Sequence, residues 1–215
     1  MTTSGDGVIR LWEPVTGKTI KSAKTEGYTV ADAQFWHDDE YLIVKQQKTT
    51  NADTVIQIRD ANDLELLHSI ELGYAAASVM EGDSDSALVC DLSGEIYRIF
   101  FEDGEFTHTV VKDTSSIIRG KIIPGSGCIV TLNANGVAYV WDRDSNRINQ
   151  STHPGATKLA VSPDGSIYAV TTRDDGQTHF HWSQTGNMAA PTISHGVDPV
   201  AVSYTHLTLP TIYSV

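Results

Sequence analysis

A short apolar segment that ends in a large side chain recurs along the chain at nearly constant spacing. The closing residues are Trp12, Arg59, Phe100, Trp141 and Trp182. The successive intervals are 47, 41, 41 and 41 residues, and the longer first interval contains the polar run 48–53. A fixed period of about 40 residues is typical of repeat architectures, in which each period forms one supersecondary unit.

Each period carries the pattern of short antiparallel strands. Apolar runs such as 41–44 and 167–170 are separated by turn-forming clusters. In the cluster 162–165 (SPDG), proline presets φ, aspartate can bond its own backbone and glycine supplies a positive φ. No stretch holds an apolar period of 3.6 residues over three turns, so we expect no helix. The fifth period predicts four strands, at 158–162, 166–172, 178–183 and 188–194.

Both faces of the third strand in a period are apolar, for example Ile9 and Leu11 on one face and Trp12 on the other. A single four-stranded sheet cannot bury two apolar faces, so it must stack between neighbouring sheets. The sequence therefore predicts an all-β chain. We expect a β-propeller of four-stranded antiparallel blades, with about five blades present and an incomplete ring.

Three segments closely resemble WD-repeat proteins: 4–12 (SGDGVIRLW), 137–142 (VAYVWD) and 162–165 (SPDG). The resemblance covers nearly all of residues 1–203. It implies a propeller, commonly of about seven blades, that serves as a scaffold for multiprotein complexes. With about five blades represented, the chain is expected to be a fragment of such a propeller.

The resemblance also implies a structural tetrad, a hydrogen-bonded chain of His, Asp, Ser or Thr, and Trp that pins a blade. The fifth unit can supply it from His153, Thr172 (or Thr171), Asp175 (or Asp174) and Trp182. The repeats are degenerate in this respect, because Arg59 and Phe100 replace the tryptophan in two units.

The repeat register predicts where the native sequence ends. A sixth unit should start near residue 198, and 200–203 (VAVS) matches 159–162 (LAVS) of the fifth unit. The expected Pro-Asp-Gly turn does not follow, and the sequence from Val202 onward resembles the conceptual translation of a transposase sequencing adapter. We therefore interpret 1–203 as a partial WD-repeat propeller and 204–215 as a non-native tail.

Composition narrows the classes of ligand and the compartment. The 15 Lys and Arg against 27 Asp and Glu give a formal charge of −12, which disfavours nucleic acid as the main ligand. No apolar run reaches the roughly 20 residues that span a bilayer. Cys90 and Cys128 each lie in an apolar run and are interpreted as buried free thiols, which favours an intracellular location, cytoplasmic or nuclear.

Few residues stand out as candidate sites. His179 and His181 have metal-ligand spacing on a strand. When the repeats are aligned, however, they fall at positions that are apolar in other units, so core packing is the favoured interpretation. Trp36 aligns with Ser162 just before a turn and is a candidate partner contact, with local packing on Tyr41 or a neighbouring blade as the alternative. The connections between blades add three more partner-binding candidates: Tyr28, Tyr74 and His195.

The leading hypothesis is a non-catalytic scaffold that binds other proteins, because the repeat supplies a frame and variable loops without convergent catalytic groups. No catalytic residue and no cofactor are predicted. One alternative is a propeller enzyme similar to quinoprotein dehydrogenases, which 16–18 (TGK) also resembles. Another is a regulatory propeller domain of a larger signalling protein.

Overall fold

The structure, a computed structural model, describes residues 1–195 except 52, 73–76, 83–85 and 114, and gives no side chains for 77–82. Residues 196–215 contain the predicted start of a sixth unit and the predicted tail, and they lie outside the described residues. The described residues divide into two compact units, the first within 1–122 and the second beginning at residue 123. Within the described ranges every regular element is a strand, and no helix is long and apolar enough to cross a membrane.

The strands follow one another as antiparallel neighbours in five sheets, counted over the described residues. Sheet I contains β1 (Thr2–Thr3), β2 (Val8–Trp12) and β3 (Thr19–Lys24). Sheet II contains β4 (Tyr28–Trp36), β5 (Tyr41–Lys48), β6 (Thr54–Asp60) and β7 (Leu66–Glu71). Sheet III contains β8 (Ala77–Gly82), β9 (Ser86–Asp91), β10 (Glu95–Glu102) and β11 (Glu105–Lys112).

Two further four-stranded sheets follow in the same order. Sheet IV contains β12 (Ile117–Ile123), β13 (Cys128–Asn133), β14 (Val137–Trp141) and β15 (Arg147–Thr152). Sheet V contains β16 (Ala156–Val161), β17 (Ile167–Thr172), β18 (Gln177–Trp182) and β19 (Met188–Ser194). The four strands predicted for the fifth period are thus confirmed to within two residues at each end. The all-β prediction and the number of repeated sheets are confirmed as well.

The core of the first unit shows why the sheets are apolar on both faces. On β5, Leu42 and Val44 pack in a cluster with Ile9 and Leu11 of sheet I. Ile43, which points to the opposite face, packs in a second cluster with residues of sheet III, including Val89 and Ile99. Because side chains alternate along a strand, one strand serves two cores. Sheet II is therefore sandwiched between its neighbours, as the sequence pattern predicts.

One backbone hydrogen bond recurs in all five sheets of the described chain. In each sheet, the N–H of the residue after the last strand donates to the carbonyl of a residue just before, or at the start of, the strand that precedes the last one. The turn that leads into that preceding strand is called the inner turn. The donor and acceptor pairs are Thr25 and Gly7, Leu72 and Thr54, Asp113 and Gly94, His153 and Gly136, and His195 and Gly176, with N···O distances of 2.7–3.1 Å. This bond holds the exit of each sheet against its inner turn.

The close approach explains why glycine occupies these turns. Gly136 has a φ of +76°, and a Cβ added there would lie 2.2 Å from the carbonyl oxygen of His153. The same clash would arise at Gly7, where an added Cβ would lie 2.5 Å from the carbonyl oxygen of Tyr28. Glycine is required at both positions, by the left-handed backbone and by the neighbouring carbonyl.

We predict that Gly136→Ala lowers the free energy of unfolding by more than about 3 kcal/mol, because strain in the left-handed region, about 1–2 kcal/mol, adds to a clash with backbone. Gly104→Ala is the matched control, since Gly104 has a φ of +83° with no atom within 4 Å of an added Cβ. Urea unfolding of both variants measures the difference. Equal losses would show that the contact with His153 contributes nothing.

Candidate functional site

An open groove lies between sheets IV and V in the second unit. Its volume is about 590 Å³, and it is lined by the turn between β12 and β13, the turn between β16 and β17, and the turn that follows β18. The indole of Trp182 is 44% exposed and the side chain of Ile148 is 47% exposed, and both line the groove. Large apolar side chains that stay in water beside a concave surface are typical of an interaction site.

Close backbone contacts fix the walls of the groove. Asn149 on β15 donates its side-chain N–H to the carbonyl of Ser183, at 2.9 Å, which ties sheet IV to the turn after β18. On the other wall, Gly165 has a φ of +70°, and a Cβ there would lie 2.6 Å from the carbonyl oxygen of Pro124. Two turns from adjacent sheets therefore meet in direct contact, and the groove is a built feature of the second unit.

Asp164 is the carboxylate of this groove, and it organises the turn between β16 and β17. It accepts hydrogen bonds from the Ser162 hydroxyl at 2.6 Å and from the Ser166 backbone N–H at 3.1 Å. The bond from Ser162, followed by those from Ser166, lowers the pKa of Asp164 below its ordinary value. The turn predicted from 162–165 is present, and its carboxylate stays ionised at the rim of the groove.

Cys128 also lines the groove, and its thiol is half-buried, whereas the Cys90 side chain is fully buried. The expectation that both thiols are buried is thus correct for Cys90 and wrong for Cys128. Cys128 is the first residue of β13, immediately after the turn that forms the groove wall, so solvent reaches it.

Trp36, predicted as a candidate partner contact near an exposed turn, is only 2% exposed. Its ring packs against Tyr41, with centroids 6.2 Å apart, and against Phe106 of sheet III, with centroids 6.0 Å apart. The alternative interpretation, packing on Tyr41 and a neighbouring sheet, is the one that the geometry supports. Trp36 is therefore a core residue, and a partner cannot reach it without opening the first unit.

The other partner candidates lie on the connections between sheets. Tyr28, at the start of β4, is half-buried, and its carbonyl oxygen approaches Gly7. His195 is exposed after β19, and its Nε2 lies 3.0 Å from the Thr178 hydroxyl. Tyr74 lies outside the described residues. Neither Tyr28 nor His195 is among the residues that line the groove around Trp182, and the sequence did not indicate this groove.

Comparison with known proteins identifies the fold. The structure matches the C-terminal WD40 domain of Sif2 with a TM-score of 0.62 and 16% sequence identity, covering 83% of this chain and 50% of that one. It matches Hsv2 of Kluyveromyces lactis with a TM-score of 0.65 and 17% identity, covering 82% and 56%. A chain of a mitotic checkpoint complex matches with a TM-score of 0.68 and 18% identity, covering 89% and 62%. The fold is a WD-repeat β-propeller.

The five sheets are therefore propeller blades, and they are called blades I to V below. This chain spans between 50% and 62% of the length of the three chains just compared. No protein-family model and no curated protein matches the sequence.

The tryptophans that end the corresponding strands of blades I, IV and V differ in the use of their indole N–H. In blade IV the indole N–H of Trp141 donates to the Thr131 hydroxyl at 2.9 Å, and in blade I that of Trp12 donates to the Thr2 hydroxyl at 2.8 Å. In both blades the threonine lies opposite the residue two positions before the tryptophan. Ala169 has this position in blade V, opposite Phe180. Trp182 therefore lacks the threonine partner, and its indole N–H does not make this bond.

The tetrad predicted for blade V is formed only in part. Thr172 donates its hydroxyl hydrogen to Asp175, which lowers the pKa of that carboxyl. His153 bonds to His181 instead of an aspartate, and Trp182 is exposed. In blade V, strand register gives the position that holds the tryptophan's partner in blades I and IV to Ala169, whose side chain cannot accept a hydrogen bond.

Three histidines of blade V and its preceding turn form a cluster. His153 Nε2 lies 2.8 Å from His181 Nε2, and the His153 ring stacks on His179 with centroids 4.2 Å apart. His181 Nδ1 lies 2.8 Å from the Gly186 carbonyl, which can only accept, so this nitrogen carries the hydrogen. Nε2 of neutral His181 is then an acceptor, and His153 Nε2–H donates to it.

The hydrogen bond requires that His181 Nε2 carries no proton, and burial disfavours the charged forms of both His153 and His181. Burial, followed by the nearby His179 and His181, lowers the pKa of His153 from 6.5 to about 4, and burial lowers that of His181. The imidazole of His153 thus lies beside those of His179 and His181. The sequence did not indicate this third histidine. Over the described ranges, however, no group of three or more His, Cys, Asp or Glu side chains has a geometry that could hold a metal ion.

Thr131→Val should lower the free energy of unfolding by about 1–3 kcal/mol, because it leaves the buried Trp141 indole N–H without an acceptor. Thr131→Ser keeps the acceptor and should restore much of the loss. Thr2→Val is the matched control, since Trp12 is 37% exposed and water can replace the hydroxyl. Chemical unfolding followed by tryptophan fluorescence measures all three variants, and equal losses for Thr131→Val and Thr2→Val would contradict the prediction.

Protonation of the histidine cluster should destabilise the protein. The unfolded chain binds protons on these histidines below pH 6.5, whereas folded His153 binds one only near pH 4. The stability that comes from the lowered pKa of His153 is therefore fully present above pH 6.5, and it is lost as the pH decreases from 6.5 towards 4. Urea midpoints at about pH 7 and about pH 5 should differ less for His153→Phe than for the natural sequence. An unchanged difference would show that His153 does not contribute.

Proposed function

We propose that this chain is a non-catalytic scaffold that binds other proteins through the groove between blades IV and V. The exposed indole of Trp182 carries the proposal. It lines a concave surface with Ile148, and the fold does not use its N–H in the way that it uses those of Trp12 and Trp141. Tryptophan is among the residues that contribute most to protein interfaces, because it combines a large apolar area with one polar donor.

The groove is suited to a partner that inserts apolar side chains beside Trp182 and Ile148 and offers a hydrogen-bond acceptor to the indole. Its walls are turns fixed by the Asn149 and Gly165 contacts, so little order has to be gained on binding. The WD40 structures that the chain resembles include a chain of a mitotic checkpoint complex, a multiprotein assembly. That likeness supports a role in protein assembly for this fold.

Trp182→Ala should weaken partner binding by about 2 kcal/mol, which is roughly a thirtyfold rise in Kd. The partner is first identified by affinity purification with the natural sequence, and its Kd is then measured by calorimetry with purified proteins. Val110→Ala is the matched control, because Val110 is an exposed apolar residue of blade III, 48% exposed and outside the groove. Equal affinity of the Trp182 and Val110 variants would contradict this site.

Cys128 gives an independent test of the location. Its thiol lines the groove, whereas Cys90 is fully buried, so mild alkylation of the folded protein should modify Cys128 first. A partner seated in the groove should slow this modification. Unchanged alkylation in a saturated complex would show that the partner binds elsewhere.

A further inference from the structure

The first unit contains a second cavity, lined by blades II and III, with a volume of about 590 Å³. Tyr41 of β5 and Phe101 and Phe106 of β10 and β11 line it, and so do two carboxylates, Asp60 and Glu105. Neither the repeat nor the propeller fold accounts for this combination. The cavity is separate from the groove around Trp182, because all of its lining residues belong to the first unit.

The three aromatic rings form a corner. Tyr41 and Phe106 have centroids 5.2 Å apart and planes at 83°, and Tyr41 and Phe101 have centroids 5.1 Å apart and planes at 62°. The ring centroids of Phe101 and Phe106 are 4.7 Å apart. Buried Trp36 packs against both Tyr41 and Phe106, so the corner is anchored in the core. The rings are thus pre-arranged and do not have to be ordered by a ligand.

The charges of the lining all have the same sign. Among the described residues that line the cavity there is no lysine or arginine, while Asp60 and Glu105 supply two carboxylates. Burial, followed by the neighbouring His108, lowers the pKa of His68, another lining residue, so that its imidazole is neutral at pH 7. The side chain of Glu105 is exposed. Burial, followed by the charges of Glu40 and Asp60, raises the pKa of the Tyr41 phenol. The cavity is therefore suited to a cation.

We propose that this cavity binds a quaternary ammonium group, with the aromatic faces of Tyr41, Phe101 and Phe106 against its methyl groups and Asp60 and Glu105 balancing its charge. Aromatic faces attract cations through their quadrupole. A primary ammonium would lose strong hydration without gaining enough hydrogen-bond acceptors from a wall of rings. A methylated ammonium is weakly hydrated and has an apolar surface, so aromatic walls suit it better.

Calorimetric and NMR titrations with choline chloride test the proposal on the full chain. The matched neutral ligand is 3,3-dimethylbutan-1-ol, which has the same shape with a carbon in place of the nitrogen. We expect saturable choline binding that shifts the ring resonances of Tyr41 and Phe101, and binding of the neutral analogue that is weaker by about tenfold. Equal binding of the two ligands, or no binding of choline, would overturn the proposal.

Two variants locate the site. Glu105→Gln changes an exposed side chain and should preserve folding while weakening choline binding by about fivefold. Glu65→Gln, an exposed carboxylate outside the cavity, is its control. Phe101→Leu should weaken binding further, whereas Phe35→Leu, with the Phe35 ring 42% exposed outside the cavity, should not. Equal effects within each pair would contradict the assignment.

A quaternary ammonium can come from a free metabolite or from a trimethylated lysine side chain. Titration with a short peptide that contains trimethyl-lysine, and with the same peptide unmodified, distinguishes these sources. Tighter binding of the trimethylated peptide than of choline would assign the cavity to a modified protein, and tighter binding of choline would assign it to a small molecule. Trp182→Ala should leave both titrations unchanged, so the proposal for this cavity and the proposal for the groove can be contradicted independently.

Discussion

The propeller depends on one recurring contact, in which the chain leaving a blade is hydrogen-bonded to the blade's own inner turn. The bond occurs five times in the described residues, and at Gly7, Gly94 and Gly136 the backbones approach so closely that a side chain would collide. It satisfies a donor that would otherwise be buried at the blade exit. The exit of each blade in the described residues is therefore held by backbone atoms, whatever side chains the blade carries.

The groove around Trp182 depends on other close contacts, at the turn between β16 and β17 and at the turn after β18. Gly165 lies against Pro124, and Asn149 bonds the Ser183 carbonyl, so the turns of blades IV and V meet along one edge and leave an open space beside it. Blade V has Ala169 at the position where blades I and IV have a threonine, whose hydroxyl accepts the hydrogen bond from the tryptophan. A single residue on the neighbouring strand thus decides whether the indole N–H is hydrogen-bonded within the blade, although Trp12 and Trp182 are both more than a third exposed.

The sequence predicted the fold well because the repeat period and the strand alternation are local properties. The turn at 162–165 and the two apolar faces of the blades could be derived from them. The burial of Trp36 was harder to predict. Alignment with Ser162 gives the position of Trp36 in a blade, but it does not reveal that Phe106 of the next blade packs against its ring. The partner of each tryptophan depends on cross-strand register, which local sequence does not specify. The aromatic corner and the histidine cluster likewise combine residues from different strands.

Strand β5 contributes to two cores, since Leu42 and Val44 pack in the core shared with blade I and Ile43 packs in the core shared with blade III. A cavity opened at Ile43 would weaken the contact with blade III, while one opened at Leu42 would weaken the contact with blade I. Stability in such an array is a sum of terms between nearest neighbours. Neutral drift in one blade is therefore constrained by the two blades beside it, and compensating substitutions should arise across a blade boundary sooner than within a single blade.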